Sequence, residues 1–214
     1  LTFKRDTLKI ETKGETLIEG TDYTLEEVED GFEIVFLKDI NTSHRITYTT
    51  AFDYEKRADS GKKYLENKAE LFWKDEQGKD RTLEAISRFT PDSYTQFNGF
   101  KNGSYNAVDK LLTWNVGVNY NLKQLDQLRV VDYMQGNQKL VEDSIAVYRM
   151  DLTGGKNGTK DGERVPASEY TVKMIDNDKG EQGFEIIFKN PVDSPYKITY
   201  KTSVKDVSLV QASY

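Results

Sequence analysis

Apolar and polar residues alternate in short segments along most of the chain. In Leu111–Asn119, for example, Leu112, Trp114, Val116 and Val118 fall on one side of an extended backbone. Turn residues such as Gly, Asp, Asn and Ser separate these segments, a pattern typical of an all-β sandwich. The pattern predicts a flexible loop at Leu152–Gly162, and it predicts strands at Thr7–Thr12, Tyr23–Val28, Arg45–Phe52, Tyr64–Trp73, Thr82–Phe89, Leu111–Asn119, Leu128–Met134, Ser144–Met150 and Tyr170–Ile175.

One stretch of the sequence occurs twice. Gly31–Phe52, GFEIVFLKDINTSHRITYTTAF, aligns without a gap with Gly183–Val204, GFEIIFKNPVDSPYKITYKTSV, which begins 152 residues later. Nine of the 22 aligned positions are identical, which indicates that one architecture is used twice. The correspondence extends towards the N-terminus, where Asp6–Ile10 matches Asp143–Val147 and Asp22–Leu25 matches Glu169–Val172.

The two copies differ in what precedes them. Nothing ahead of the first copy corresponds to Leu111–Met134, which precedes the second. We therefore expect residues 1–87 to be the C-terminal part of one module, and residues 88–214 to be a second module that lacks its last strand. The boundary is predicted near Ser87–Pro91, and the chain is expected to be a section of a longer tandem array.

Composition and charge exclude several classes of protein. Charged residues make up 31% of the chain and aromatic residues 12%, which argues against disorder and for well-solvated faces. The net charge of −6 and the pI near 5.1 argue against nucleic acid as a partner, because nucleic-acid binding requires clustered cations. No apolar run approaches the roughly 18 residues of a membrane helix, so no membrane insertion is expected.

Two residue types that are common in catalytic and metal sites, Cys and His, are absent or nearly absent from the chain. It contains no Cys and a single His, His44, which excludes Cys nucleophiles, thiolate zinc sites and His-based metal clusters. A Ser-His-Asp triad would have to use His44, which falls in a predicted turn. We therefore predict that the protein is not an enzyme and has neither a cofactor nor a metal site.

The second half of the chain carries short motifs in a fixed order. They are Leu112-Thr113-Trp114, Asn119, Val130-Val131-Asp132, Asp143–Tyr148 and Ile198–Thr202. The last of these, ITYKT, has a counterpart at Ile46–Thr50, which is followed by Asn67-Lys68-Ala69. Their order and spacing resemble the immunoglobulin-like repeat module of the Gram-positive, cell-wall-anchored collagen adhesins. The resemblance covers nearly the whole chain.

This resemblance implies an all-β fold of tandem immunoglobulin-like β-sandwich modules. It also implies an isopeptide bond between a Lys and an Asn, promoted by a buried Asp. In this sequence the Lys matches Lys101, the Asp matches Asp132 and the Asn matches Asn67. Asn67 ends the first predicted module, however, whereas Lys101 and Asp132 belong to the second.

Such a bond is chemically reasonable. Burial disfavours the charged forms of both ionisable groups, which leaves the amine nucleophilic and the carboxyl group protonated. The protonated Asp can then polarise the Asn carboxamide for attack, with release of ammonia. In a chain without Cys, the cross-link provides what a disulfide would otherwise provide.

The source of the Asn stays open. We expect Lys101 to bond an Asn beyond Tyr214, although the strand Tyr64–Trp73 could instead fill the last-strand position, in cis or from a neighbouring chain. Under the alternative interpretation, Lys101 is a solvated loop lysine and Asp132 a strand-end carboxylate.

The function that the resemblance implies is attachment to a collagen-like ligand of the host extracellular matrix, or presentation of a binding head. The implied location is extracellular, at the cell wall of a Gram-positive bacterium. Two alternatives stay open: a stalk or spacer repeat without a ligand, and a carbohydrate-binding accessory module of a surface enzyme. Tyr94, Phe97, Tyr105 and Tyr120 could form a ligand trench, but packing in the core or at an edge is favoured.

Overall fold

The computed structural model describes residues 1–29, 31–54 and 63–204. The chain divides into two compact units, Leu1–Thr90 and Pro91–Tyr214. Both units are built from strands that pair in antiparallel fashion, so the predicted all-β fold is confirmed. The prediction that the second module lacks its last strand depends on residues 205–214, which lie outside the described residues.

The described part of the first unit forms three small sheets. Its strands are β1 (Thr2–Thr12), β2 (Glu15–Thr16), β3 (Tyr23–Val28), β4 (Gly31–Phe36), β5 (Arg45–Ala51), β6 (Leu65–Lys74) and β7 (Asp80–Phe89). Strand β1 lies between β2 and β5, β3 pairs with β4, and β6 pairs with β7. Ile10 and Tyr23 are buried, whereas the β6–β7 hairpin is exposed along nearly its whole length.

The second unit is a sandwich of two sheets. Its elements are α1 (Ser93–Phe97), β8 (Gly99–Asn106), β9 (Leu111–Val118), β10 (Arg129–Tyr133), β11 (Gln138–Leu140), β12 (Ala146–Leu152), β13 (Thr159–Arg164), β14 (Tyr170–Asp176), β15 (Gln182–Phe188) and β16 (Tyr196–Val204). The larger sheet has the order β13-β12-β16-β9-β8, with β11 also paired to β16. The smaller sheet has the order β10-β15-β14.

One apolar core lies between these two sheets. Alternate residues of β15 and β16 point into it, because successive side chains of a strand face opposite sides. Phe184 and Ile186 from β15 and Ile198 from β16 are fully buried, and Tyr200 is 2% exposed. Each such side chain contributes roughly 1.5–3 kcal/mol when it is removed from water. The repeated sequence therefore supplies the centre of this core.

The repeat in the sequence is also a repeat of strand pairing. Strands β1 and β5 of the first unit pair in the register in which β12 and β16 pair in the second, and the hairpins β3–β4 and β14–β15 agree in the same way. The opposed residues are Ile10–Ile46 and Tyr23–Phe36 in the first unit, and Val147–Ile198 and Tyr170–Phe188 in the second.

The units differ in the strands beside the repeat. In the second unit β16 also pairs with β9, and β15 also pairs with β10. Within the described part of the first unit, β5 pairs with β1 alone and β4 with β3 alone. As a result Ile46 is 41% exposed, whereas its counterpart Ile198 is 0% exposed.

Several strands lie outside the segments that the sequence pattern predicted, among them β2, β8, β11 and β13. Leu152–Gly162, predicted as a flexible loop, contains the start of β13, where Thr159 lies opposite Leu152. The prediction is wrong for this part because backbone hydrogen bonds hold the hairpin, while most β13 side chains stay exposed and show no apolar alternation. Strand β8 contains Gly103, which lies against the Trp114 ring. A Cβ atom at this position would lie only 2.7 Å from the ring, so a residue that is unusual in strands is required here.

Candidate functional site

The candidate site lies where the edges of the two sheets meet in the second unit. Lys101 is on β8, the last strand of the larger sheet, and Asp132 is on β10, the last strand of the smaller one. Each of these strands has a single partner strand among the described residues. A contact between Lys101 and Asp132 therefore bridges the two sheets at a side of the sandwich that no further described strand covers.

Asp132 is a buried carboxylate with two partners. It is 8% exposed and lies opposite Phe184 in the β10–β15 ladder. Lys101 Nζ donates a hydrogen bond to Asp132 Oδ1 at 2.6 Å, and Tyr200 Oη donates to Asp132 Oδ2 at 2.8 Å. Buried carboxylates are stable only when they are paired and hydrogen-bonded, and both oxygens here have a donor.

Trp114 forms the wall beside the lysine. Its ring centroid lies 5.3 Å from Lys101 Nζ, a distance suited to a cation–π contact. The indole Nε1 donates to Gln138 Oε1 at 3.1 Å and to Thr202 Oγ1 at 3.0 Å, which fixes the ring. The Lys101 side chain is 44% exposed, so the amine is reachable from solvent while its stem packs on an aromatic surface.

Tyr200 connects the site to the core. Burial raises the pKa of Tyr200 above its ordinary value, and the hydrogen bond to Asp132 raises it further. The side chain therefore stays a neutral phenol and keeps its proton for the bond to Asp132. Its ring packs edge-on against Phe184, with centroids 4.8 Å apart.

Asn67, the third predicted residue, lies on β6 of the first unit. Asn67 Nδ2 donates to the hydroxyl of Tyr48 at 2.7 Å. The structure thus brings Lys101 and Asp132 together within the second unit, and it gives Asn67 a partner within the first.

The two tyrosines of the repeat were not predicted as site residues. Tyr48 and Tyr200 are matched positions of the repeat, and both are among its nine identical residues. Tyr200 contacts Asp132, and Tyr48 contacts Asn67. The signal available in the sequence was their identity in the two copies of the repeat; the contacts with Asp132 and Asn67 are seen only in the structure.

The aromatic residues that were considered for a ligand trench fall into two groups. Tyr94 stacks on Phe100 with ring centroids 4.2 Å apart, and it meets Tyr120 edge-on at 5.6 Å. Phe97 and Tyr105 are instead exposed, by 79% and 41%. This second group offers the larger aromatic surface to a ligand.

The described residues contain neither a long apolar helix that could cross a membrane nor a group of three or more side chains suited to hold a metal ion. The lone histidine, His44, packs its ring against Phe36, with centroids 5.3 Å apart.

Three of the solved structures that are similar to the chain are the following. The first is the collagen binding subdomain of the Enterococcus faecalis surface protein ACE, with 14% identity and a TM-score of 0.38, over 54% of this chain and 77% of that one. The second is the collagen binding domain of the Erysipelothrix rhusiopathiae surface protein RspB, with 17% identity and a TM-score of 0.38, over 96% and 66%. The third is the S. aureus collagen adhesin, with 14% identity and a TM-score of 0.36, over 94% and 67%.

Structural likenesses at these sequence identities and TM-scores add no argument about function. The comparison with curated protein sequences found no match. The family comparison is more specific. The family model described as the collagen binding domain matches residues 96–214, which is more than half of the chain. The chain therefore belongs to the collagen-binding-domain family.

Proposed function

We propose that the chain is a non-enzymatic adhesin module that binds collagen. The observation that carries this proposal is the family match over residues 96–214, nearly the whole of the second unit. The proposed location is the cell wall of a Gram-positive bacterium, which the resemblance of the sequence motifs to cell-wall-anchored collagen adhesins implies. Collagen is the proposed partner.

The proposal predicts saturable binding of the full chain to immobilised triple-helical collagen. Binding to heat-denatured collagen or to fibrinogen should be much weaker, and surface plasmon resonance measures all three. Absence of binding to native collagen would favour a spacer repeat instead. Binding on a glycan array without collagen binding would favour a carbohydrate-binding accessory module.

Exposed aromatic side chains allow a matched pair of variants in this assay. Aromatic anchors dominate many protein interfaces, so replacing Phe97 and Tyr105 with alanine should weaken collagen binding. The control is a chain with Leu71 and Phe72, which are exposed on the β6–β7 hairpin, replaced in the same way. Equal losses in both variants would show that general apolar surface, and not the second unit, causes the binding.

We further propose that Lys101 and Asp132 are two of the three residues that form an isopeptide bond, and that the third residue is an Asn. The 2.6 Å hydrogen bond between them is a path along which the ammonium proton can reach the carboxylate. A strand laid over the side of the sandwich where they meet would remove the remaining 44% exposure of Lys101. Burial would then favour the neutral amine and acid over the ion pair.

The formation of this bond requires neither an oxidant nor a cofactor. Lys101 Nζ forms a bond to Cγ of the Asn while the Cγ–Nδ2 bond breaks. The Asp132 carboxyl group carries one proton from Nζ to Nδ2, and Nδ2 leaves as ammonia. The product is an amide that joins two side chains.

We propose that residues 1–87 are the C-terminal part of one module, and that residues 88–214 are a second module that lacks its last strand. The shared strand registers and the 41% exposure of Ile46 support the first part of this proposal. Strand β6, which carries Asn67 and is exposed on both faces, is a candidate to fill the last-strand position of the second unit in a neighbouring chain. Strand addition at an open sheet edge is an established mode of recognition.

The cross-link is tested by capture of a peptide. The capture chain is the full chain with Asn67→Ala, and the β6 peptide is a synthetic Leu65–Lys74 that carries Asn67. Incubation should give a species whose intact mass equals the chain plus the peptide minus one ammonia. A β6 peptide with Asn67→Ala is the control and should give no such species; a mass that stays unchanged with the Asn peptide rules out a bond between Lys101 and Asn67 of β6.

A further inference from the structure

The structure assigns a further residue to this isopeptide-forming site. We propose that the tyrosine of the repeat, Tyr200 in the second unit and Tyr48 in the first, positions the Asp and the Asn and selects Asn over Asp as the partner of the lysine. The inference rests on the cross-link proposed above, and it adds a positioning and specificity-determining residue to it.

The two tyrosines occupy the same place in their units. They are matched residues of strands β5 and β16, which pair with β1 and β12 in the same register. Each packs edge-on against the matched phenylalanine of the neighbouring hairpin. The ring centroids lie 4.9 Å apart for Phe32 and Tyr48 and 4.8 Å apart for Phe184 and Tyr200.

The tyrosine hydroxyl donates a hydrogen bond in one unit and accepts one in the other. In the second unit Tyr200 Oη donates to Asp132 Oδ2 at 2.8 Å. In the first unit Tyr48 Oη accepts from Asn67 Nδ2 at 2.7 Å. Because the tyrosines are equivalent, the two contacts combine into one chain of groups: amine, carboxyl, phenol and carboxamide.

The hydrogen-bond capacity of a phenol makes this arrangement selective. A phenol has one hydrogen to donate, and Tyr200 gives it to Asp132. Any further partner of the hydroxyl must therefore be a donor, which turns the Nδ2 end of an Asn towards the tyrosine. That nitrogen is the one that leaves as ammonia. An ionised Asp offers acceptor oxygens alone, so it would be held less well at this position.

The tyrosine also orients the catalytic carboxyl group. Its hydrogen bond occupies Oδ2 of Asp132, which leaves Oδ1 directed at Lys101. The burial that raises the pKa of Tyr200 keeps its proton in place for this bond. Loss of the hydroxyl would free the carboxyl group to rotate, and it would remove the acceptor for the Asn.

The test compares two peptides with six chains. The peptides are the β6 peptide and the same peptide with Asn67→Asp. The chains are the capture chain, its Tyr200→Phe variant, its Tyr196→Phe variant and, for binding without reaction, each of these with Lys101→Arg. Tyr196 is the matched control because it is a buried tyrosine of β16 whose hydroxyl accepts from Arg149, whereas the Tyr200 hydroxyl donates to Asp132.

We expect the Lys101→Arg capture chain to bind the Asn peptide on the order of tenfold more tightly than the Asp peptide, as one hydrogen bond allows. Tyr200→Phe should bring this ratio close to one and should slow covalent capture of the Asn peptide on the order of tenfold. Tyr196→Phe should change neither the ratio nor the rate. Fluorescence anisotropy measures binding, and intact mass measures capture.

The outcomes separate this inference from the cross-link. An unchanged Asn-to-Asp ratio in Tyr200→Phe overturns the inference, even if capture proceeds. A ratio that depends on Tyr200 without any covalent product supports the positioning role and overturns the cross-link. Failure of both peptides to bind overturns both.

Discussion

Replacing Asp132 with asparagine should slow capture of the β6 peptide by about 10²–10⁴-fold, the usual contribution of a positioned general acid or base. The substitution keeps the shape of the side chain and removes the group that moves the proton from Lys101 to the leaving nitrogen. Lys101→Arg should give no product at all, because a guanidinium stays protonated and is not a nucleophile. Intact-mass time courses measure both variants in the capture chain.

Glu185 provides the matched control for Asp132. It is another carboxylate of the smaller sheet that is 8% exposed, and it pairs with Arg129 instead of Lys101. Glu185→Gln should therefore leave the capture rate within a few-fold of the capture chain. If Glu185→Gln and Asp132→Asn slow capture equally, loss of a buried charge explains the effect and Asp132 has no special role.

Replacing Ile198 with alanine should lower the free energy of unfolding of the second unit by about 2–5 kcal/mol, the range for a large core side chain. The matched residue of the first unit is Ile46, which has the same sequence context but is 41% exposed. Ile46→Ala should cost less than about 1 kcal/mol, because partly exposed side chains lose little on truncation.

The two tryptophans allow each unit to be followed by itself. Trp73 lies in the first unit and Trp114 in the second, and the chain contains two Trp in all. Urea unfolding is therefore monitored by fluorescence in a Trp73→Phe background for Ile198→Ala, and in a Trp114→Phe background for Ile46→Ala. Equal losses in the two units would contradict the view that the first unit lacks the strands that cover its repeat.

The alternating pattern and the repeat carried most of the information about the fold. Alternation identified the strands that face the core, because Phe184, Ile186 and Ile198 owe their burial to their side of the strand. The repeat predicted that two segments share one architecture, and the strand registers agree with it. Strands whose side chains stay exposed, such as β13, have no apolar alternation and could not be found in this way.

The site could be predicted in part. Lys101 and Asp132 came from the family resemblance, and their contact depends on the edge strands of two different sheets coming close together. No local pattern encodes that juxtaposition, since 31 positions separate the two residues. The tyrosine was visible in the sequence as an identical residue of the repeat, but its role depends on hydrogen bonds seen in the folded units.

The central claim is that the second unit holds a lysine placed to bond an asparagine on an added strand. Tandem mass spectrometry of the capture product tests it most directly. The account predicts one cross-linked peptide pair in which Lys101 is joined to the β6 peptide's Asn67, with the loss of one ammonia. A product linked through another lysine, or no linked product under conditions in which the peptide binds, would contradict it.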